Sequence, residues 1–161
     1  GFISFKILDK KPSELYSIDI VEEALNEFKE KLKKRNYKVK IVIKKAFLQK
    51  MPFKNGFFDS AVCTEVIEHA PEIEKGFKEM ARVLKGGGKL VLTFPNEKLR
   101  KKVYWIAKLF GINTDVEKDV TLFDYNPKDL IKKLREDFII KKFYRLPFFF
   151  PITHFIVCEK K

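Results

Sequence analysis

The side chains best suited to chemistry follow one another closely. Thr64, Glu65, Glu68 and His69 come directly after the apolar run 58–63, which is itself entered through a loop bearing Pro52, Asn55 and Gly56. A buried strand that delivers acids and a histidine at its C-terminal end is how open α/β sheets build ligand sites. Imidazole titrates near neutrality, so His69 is the candidate general base where a nucleophile must lose a proton. Glu65 with Glu68, or Glu65 with His69, would share a face if the segment were helical. Two carboxylates and an imidazole would then suit magnesium or a similar ion. The alternative is that Glu68 and His69 open a loop or helix and face solvent. The chain has two histidines, and the other, His154, falls in an expected strand where a structural role is expected. No metal is therefore assigned.

Asp19 is a second candidate. It closes the apolar run 15–19 and precedes a helical pattern. At such a strand end an acid can accept both hydroxyls of a ribose; equally, it can cap the helix that follows. Gly86, Gly87 and Gly88 invite a phosphate-loop reading. However, phosphate cradles lie after a strand and before a helix, whereas these glycines lie after a helix and before a strand. They are expected to be turn and C-cap residues. Cys63 and Cys158 sit in apolar runs without metal or redox spacing, and read as buried, reduced thiols of a cytoplasmic protein.

Periodicity supplies the elements that must hold these residues. Helices are predicted at 2–10, 21–34, 73–84, 99–110 and 127–136, the last capped by Asn126; strands are predicted at 15–19, 39–47, 58–64, 89–94, 138–144 and 152–159. Alternating strands and helices argue for a parallel sheet covered on both faces. Its strand C-termini then share one edge, which carries Asp19, Phe47, Thr64, Glu65 and Pro95. The last two strands are expected to pair antiparallel through the aromatic turn 147–151. Trp105, Tyr104 and Phe110 either line a substrate pocket or pack their own helix.

A length of 161 residues fits a single domain, 1–161. Hydrophobic content of 45% with 35% charge excludes a disordered chain, and no apolar run is long enough to span a bilayer. No signal peptide is visible at the N-terminus. The formal charge of +12 fits either a solvated Lys/Glu-rich surface or a nucleic-acid footprint.

Five segments in order carry a resemblance: Tyr-Ser-Ile-Asp-Ile-Val-Glu-Glu-Ala-Leu (16–25), Met-Pro-Phe (51–53), Phe-Asp-Ser-Ala-Val (58–62), Glu-Val-Ile-Glu-His (65–69) and Arg-Val-Leu-Lys-Gly-Gly-Gly-Lys-Leu (82–90). Together they resemble a class I S-adenosylmethionine-dependent methyltransferase of the quinone-biosynthesis and small-molecule type, over nearly the whole chain. The resemblance implies a Rossmann-like three-layer α/β/α sheet, mostly parallel with an antiparallel last strand. It implies S-adenosyl-L-methionine as cofactor and a small, hydrophobic methyl acceptor. Asp19 would hold the ribose, with Ile20 beside the adenine. Ala46 and Phe47 match the adenine-recognising loop, and Thr64 and Glu65 flank the methionine moiety.

Two departures accompany it. The family opens with a strand and a glycine-rich loop; Gly1 matches the last glycine of that loop, so the expectation is an N-terminally truncated copy lacking the first strand. In addition, Lys45 stands where the family often has an adenine-binding Asp, and a lysine cannot accept that hydrogen bond. Two further readings stay open. Glu-Val-Ile-Glu-His also resembles the metal-binding segment of RNA 2′-hydroxyl methyltransferases, although 119–124 lacks their further histidine. The truncated loop and Lys45 also fit an inactive methyltransferase-like binding subunit.

Overall fold

A computed structural model describes residues 2–111, 123, 125–146 and 153–161, without the side chains of Glu97, Lys98, Tyr104, Ala107 and Leu146. The chain divides into two compact units, Gly1–Pro52 and Phe53–Lys161.

The first unit contains α1 (Phe2–Leu8), β1 (Glu14–Asp19), α2 (Glu22–Lys33) and β2 (Lys40–Lys45). Helix α2 has Glu22 and Glu23 in its first turn and Lys31 and Lys33 in its last, the polarity that favours a helix dipole. Its buried side chains, Leu25 and Phe28, lie three apart on one face. Phe28 meets Phe5 edge-on at 5.2 Å, and with Leu8 they form a core covered by Leu15, Leu32, Tyr37, Val39, Ile41 and Ile43. Strands β1 and β2 pair in parallel, from Glu14 opposite Lys40 to Asp19 opposite Lys45. Parallel neighbours need a crossover, and α2 supplies it. The expected strand 39–47 ends at Lys45; Phe47 instead bridges back to Lys50 in a tight turn.

The second unit contains β3 (Phe58–Thr64), a 3₁₀ turn (Ile67–His69), α3 (Ile73–Val83), β4 (Leu84–Pro95), α4 (Glu97–Leu109), α5 (Pro127–Asp137), β5 (Phe138–Leu146) and β6 (Thr153–Lys160). The sheet order is β3-β4-β6-β5. Strands β3 and β4 are parallel, and β6 is inserted antiparallel between β4 and β5, as expected for the last strand. Leu90, Leu92 and Phe94 of β4, and His154, Ile156 and Cys158 of β6, are buried at every second position. Helix α3 turns Ile73, Phe77, Met80 and Ala81 to the core, the face its spacing predicts. Helix α5 is capped as predicted, with Asn126 Oδ1 accepting from the Lys128 amide at 3.0 Å and Pro127 at the first position.

The glycines behave differently from expectation. Helix α3 stops at Val83 and its C-cap, Leu84, is already extended, so Gly86, Gly87 and Gly88 do not cap it. They lie inside β4, where the ladder steps from Phe58–Leu84 to Ser60–Lys89. The surplus residues form a bulge, in which Gly87 takes φ 73°. A Cβ on Gly88 would come within 2.8 Å of the Lys85 carbonyl oxygen. Gly87 and Gly88 are therefore required by the ladder, because the bulge turns the first left-handed and presses the second against backbone.

Helix α4 also departs from expectation: Trp105 and Phe110 are exposed, together with Ile106 and Leu109, so these aromatics do not pack their own helix. The aromatic turn 147–151 lies outside the described residues. No described helix is long and apolar enough to cross a membrane. Among the described residues no ladder joins β1–β2 to the four-stranded sheet. The strand–helix alternation, parallel pairs and antiparallel last strand make a Rossmann-like α/β fold.

Candidate functional site

In the first unit the parallel register carries β1 and β2 to a common end. Asp19 lies opposite Lys45, and the Ala46 amide donates to the Asp19 carbonyl at 3.0 Å, so the chain turns off β2 level with Asp19. Asp19, Ile20, Ala46 and Phe47 thus share one sheet end. Asp19 is exposed, Ile20 is 49% exposed and Phe47 is 64% exposed. One Asp19 oxygen, Oδ1, accepts the Val21 amide at 2.9 Å. Val21 precedes α2, and the helix has no side-chain cap, so Asp19 shapes the approach to the helix and does not cap it. A carboxylate accepts several hydrogen bonds, and Oδ2 has no protein donor among the described residues. This strand end thus combines an open acid oxygen with exposed apolar side chains at Ile20 and Phe47. The amino edge of adenine finds no acceptor in Lys45, which pairs with Glu22 at 3.2 Å. Gly1 lies outside the described residues.

In the second unit Thr64 ends β3, paired with Thr93 of β4. Glu65 follows with φ 50°, a left-handed conformation uncommon for a residue with a side chain. Its amide donates to the Thr93 carbonyl at 3.1 Å, and the Thr93 hydroxyl donates to Glu65 Oε1 at 3.0 Å. These two bonds hold the strained residue. The expected shared helical face is therefore absent: the 3₁₀ turn begins only at Ile67, and Glu65 is reversed against β4.

Glu68 is also not solvated. It is 4% exposed, whereas the side chain of neighbouring His69 is one-third exposed, with Nε2 3.9 Å from Glu68 Oε1. Burial pushes the Glu68 carboxyl up to about 7; the nearby Glu65 carboxylate adds to this, while a backbone hydrogen bond and Arg100 oppose it. Its Oε2 has no hydrogen-bond partner among the described residues. Glu68 lines a small cleft with Ile67, Phe94, Pro95, Phe123 and Tyr125. Sequence reading placed Glu68 in the right segment but missed its burial; the signal was its position between Ile67 and Ala70, both buried.

The remaining candidates are structural. His154 is buried in β6 between the rings of Phe94 and Phe143, at 4.8 and 5.7 Å. Cys63 and Cys158 are free and buried, with burial pushing both thiols up to about 12. Among the described residues no group of three or more His, Cys, Asp or Glu could hold a metal ion. The motif residue Arg82 braces the loop before β3, donating to the Phe53 carbonyl and to Asn55 Oδ1, both at 2.8 Å.

Comparison with known proteins adds the family. A methyltransferase-domain family profile matches residues 1–92. The demethylmenaquinone methyltransferase of Bacteroides fragilis is 31% identical over 126 residues, covering 74% of this chain and 51% of that protein. The chain thus spans about half the length of this curated relative. Two solved structures share the fold: a Pyrococcus horikoshii protein with TM-score 0.76 at 20% identity, covering 100% of this chain and 79% of that one, and a SAM-dependent methyltransferase of Methanosarcina mazei with TM-score 0.73 at 23% identity, covering 98% and 86%. The cofactor that goes with this family, and for which the Methanosarcina mazei protein is named, is S-adenosylmethionine. With more than half its residues matched by the profile, and with the fold and strand-end residues that accompany it, the chain belongs to the methyltransferase-domain family.

Proposed function

We propose that this chain carries out S-adenosylmethionine-dependent methyl transfer to a small, hydrophobic acceptor. The observation that carries the reading is the β1–β2 end, where Asp19 has an open carboxylate oxygen and Ile20 and Phe47, at the same strand end, are exposed. Asp19 takes the ribose hydroxyls, Ile20 and Phe47 take the adenine faces, and the backbone at Ala46 borders the nucleoside. Thr64 and Glu65, in the second unit, are the residues that the family resemblance assigns to the methionine portion. The similarity to the demethylmenaquinone methyltransferase supports a small apolar acceptor.

When bound, the sulfonium supplies an activated methyl group. The protein's contribution is then alignment, which is worth up to about 7–11 kcal/mol in favourable systems. Glu65 is fixed by its two bonds to Thr93, so it presents its carboxylate without reorganising. His69, partly exposed, passes a released proton to solvent. The two free thiols support a cytoplasmic setting.

Calorimetric titration of the chain with S-adenosylmethionine tests the reading. Binding that is lost in Asp19→Ala supports it, and absence of binding to the unsubstituted chain points to a non-catalytic methyltransferase-like subunit. RNA is the second acceptor class, supported by the net charge of +12; binding to a single-stranded oligonucleotide that falls steeply with salt would favour it.

A further inference from the structure

We infer that helix α4 docks on the surface of an anionic lipid bilayer, lying in the headgroup plane with Trp105, Ile106, Leu109 and Phe110 turned into the lipid. The inference goes beyond methyl transfer and stands independently of it.

The spacing along the helix carries the argument. Leu99, Arg100 and Val103 are half-buried and form the inward face of α4, where Arg100 acts on the charge of Glu68. Trp105, Ile106 and Leu109 repeat the same spacing on another side of the helix. Trp105 is 65% and Leu109 66% exposed, Ile106 is about half exposed, and Phe110, directly after the helix, is 79% exposed. Phe110 follows Ile106 by four positions, so the four apolar side chains adjoin one another. Soluble chains seldom leave such a patch uncovered. Among the described residues, no other element packs extensively against α4.

The charges around this stripe have one sign. Lys101 and Lys108 flank Trp105 on the helix surface, and Lys102 stands one turn before Ile106; all three lysines are exposed. From Lys98 to Phe110 the chain holds Lys98, Arg100, Lys101, Lys102 and Lys108 and no Asp or Glu. Elsewhere lysines on helix surfaces are matched by acids: Lys31 with Glu27 and Lys33 with Glu30 on α2, and Lys75 with Glu72 at the start of α3. Those faces suit water, whereas the α4 face joins an apolar stripe to a cationic border. That combination fits the boundary between headgroups and acyl chains. The apolar side chains enter the boundary, the indole sits at headgroup level, and the lysine stems reach back to the phosphates. The same lysines disfavour other occupants. A second copy of this face would bring the basic border against itself, and a nucleic acid would leave the aliphatic side chains without an apolar partner.

Trp105 is the only tryptophan of the chain, so its fluorescence reads this face directly. With vesicles of equimolar phosphatidylcholine and phosphatidylglycerol, the emission should move to shorter wavelength, and lipid brominated on its acyl chains should quench it. Binding should weaken as salt is added and be about tenfold or more weaker on phosphatidylcholine alone. Lys101→Gln, Lys102→Gln and Lys108→Gln should each weaken binding about fivefold. Leu109→Ser should weaken it about tenfold. These positions are exposed, so chemical denaturation of each variant should match that of the unsubstituted chain. An emission that ignores the vesicles, or equal binding to phosphatidylcholine alone, overturns the proposal. Two other outcomes also overturn it, each with vesicles leaving the emission unchanged. One is concentration-dependent dimerisation in ultracentrifugation that Leu109→Ser abolishes, and the other is an emission shift with a single-stranded oligonucleotide.

Discussion

Two strand ends in this chain carry carboxylates in opposite surroundings. Asp19, at the end of β1, is exposed and spends one oxygen on the Val21 amide. Glu68, just after β3, is 4% exposed and leaves one oxygen without a partner among the described residues. The same functional group therefore has two capacities. In water a carboxylate stays charged and accepts hydrogen bonds from hydroxyls. Out of water it becomes a proton store, because charge there is penalised. The difference comes from the next residues in the chain. After Asp19 the exposed Ile20 and Val21 lead straight into α2, whereas after Thr64 the left-handed turn at Glu65 folds Ile67 and Glu68 inward.

This contrast can be broken at its support. Phe77 of α3 is fully buried in the second unit, so Phe77→Ala should cost about 3–5 kcal/mol in chemical denaturation. A loss below about 1 kcal/mol would show that this unit's core does not rest on α3.

Glu68→Gln sharpens the contrast through pH. The folded-state value of about 7 lies above the ordinary 4.5, so between these limits the folded chain holds more proton than the unfolded one. Glu68 therefore lowers stability progressively as pH rises from about 4.5 to about 7, and the penalty is constant above. Glu68→Gln should escape it, gaining up to about 3 kcal/mol over the unsubstituted chain across that window. Parallel stability curves for the two proteins would show that Glu68 does not titrate abnormally.

At the exposed end the effect should fall on binding instead of folding. Asp19→Ala should weaken S-adenosylmethionine by about 1.5–3 kcal/mol in calorimetry, while folding stability changes little because water replaces the carboxylate at the Val21 amide. Equal cofactor affinity in both proteins would remove Asp19 from the site. The smallest effect is expected at Lys45. Its pair with Glu22 is exposed at both partners, and Lys45→Ala should alter stability by no more than about 0.5 kcal/mol. A larger loss would mean that the β1–β2 end depends on this pair.

Much of the fold was legible in the chain. The period of Leu25 and Phe28, and of Ile73, Phe77 and Met80, placed α2 and α3 on their buried faces, because a helix with one apolar stripe has one way to hide it. Asn126 with Pro127 marked the start of α5 through local chemistry alone. Asp19 was legible as a strand-end acid for the same reason. Gly86–Gly88 misled: a glycine run after a helix resembles a C-cap, but here the requirement came from a bulge in β4, where the Lys85 carbonyl of the same strand and the Asp59 carbonyl of β3 crowd Gly88. Trp105 and Phe110 misled in the other direction, since nothing in an apolar side chain's identity says whether its helix face is covered.

The sequence by itself determined the strand–helix alternation, the polar cluster 64–69 and the family motifs, because these rest on spacing along one chain. Tertiary structure decided which of the clustered acids is buried. That outcome depends on Glu65 turning left-handed and being held by Thr93, a residue 28 positions away that only the β3–β4 ladder brings alongside. Desolvation is set by everything packed around a group, so a carboxyl's proton chemistry appears only once the distant strands have met.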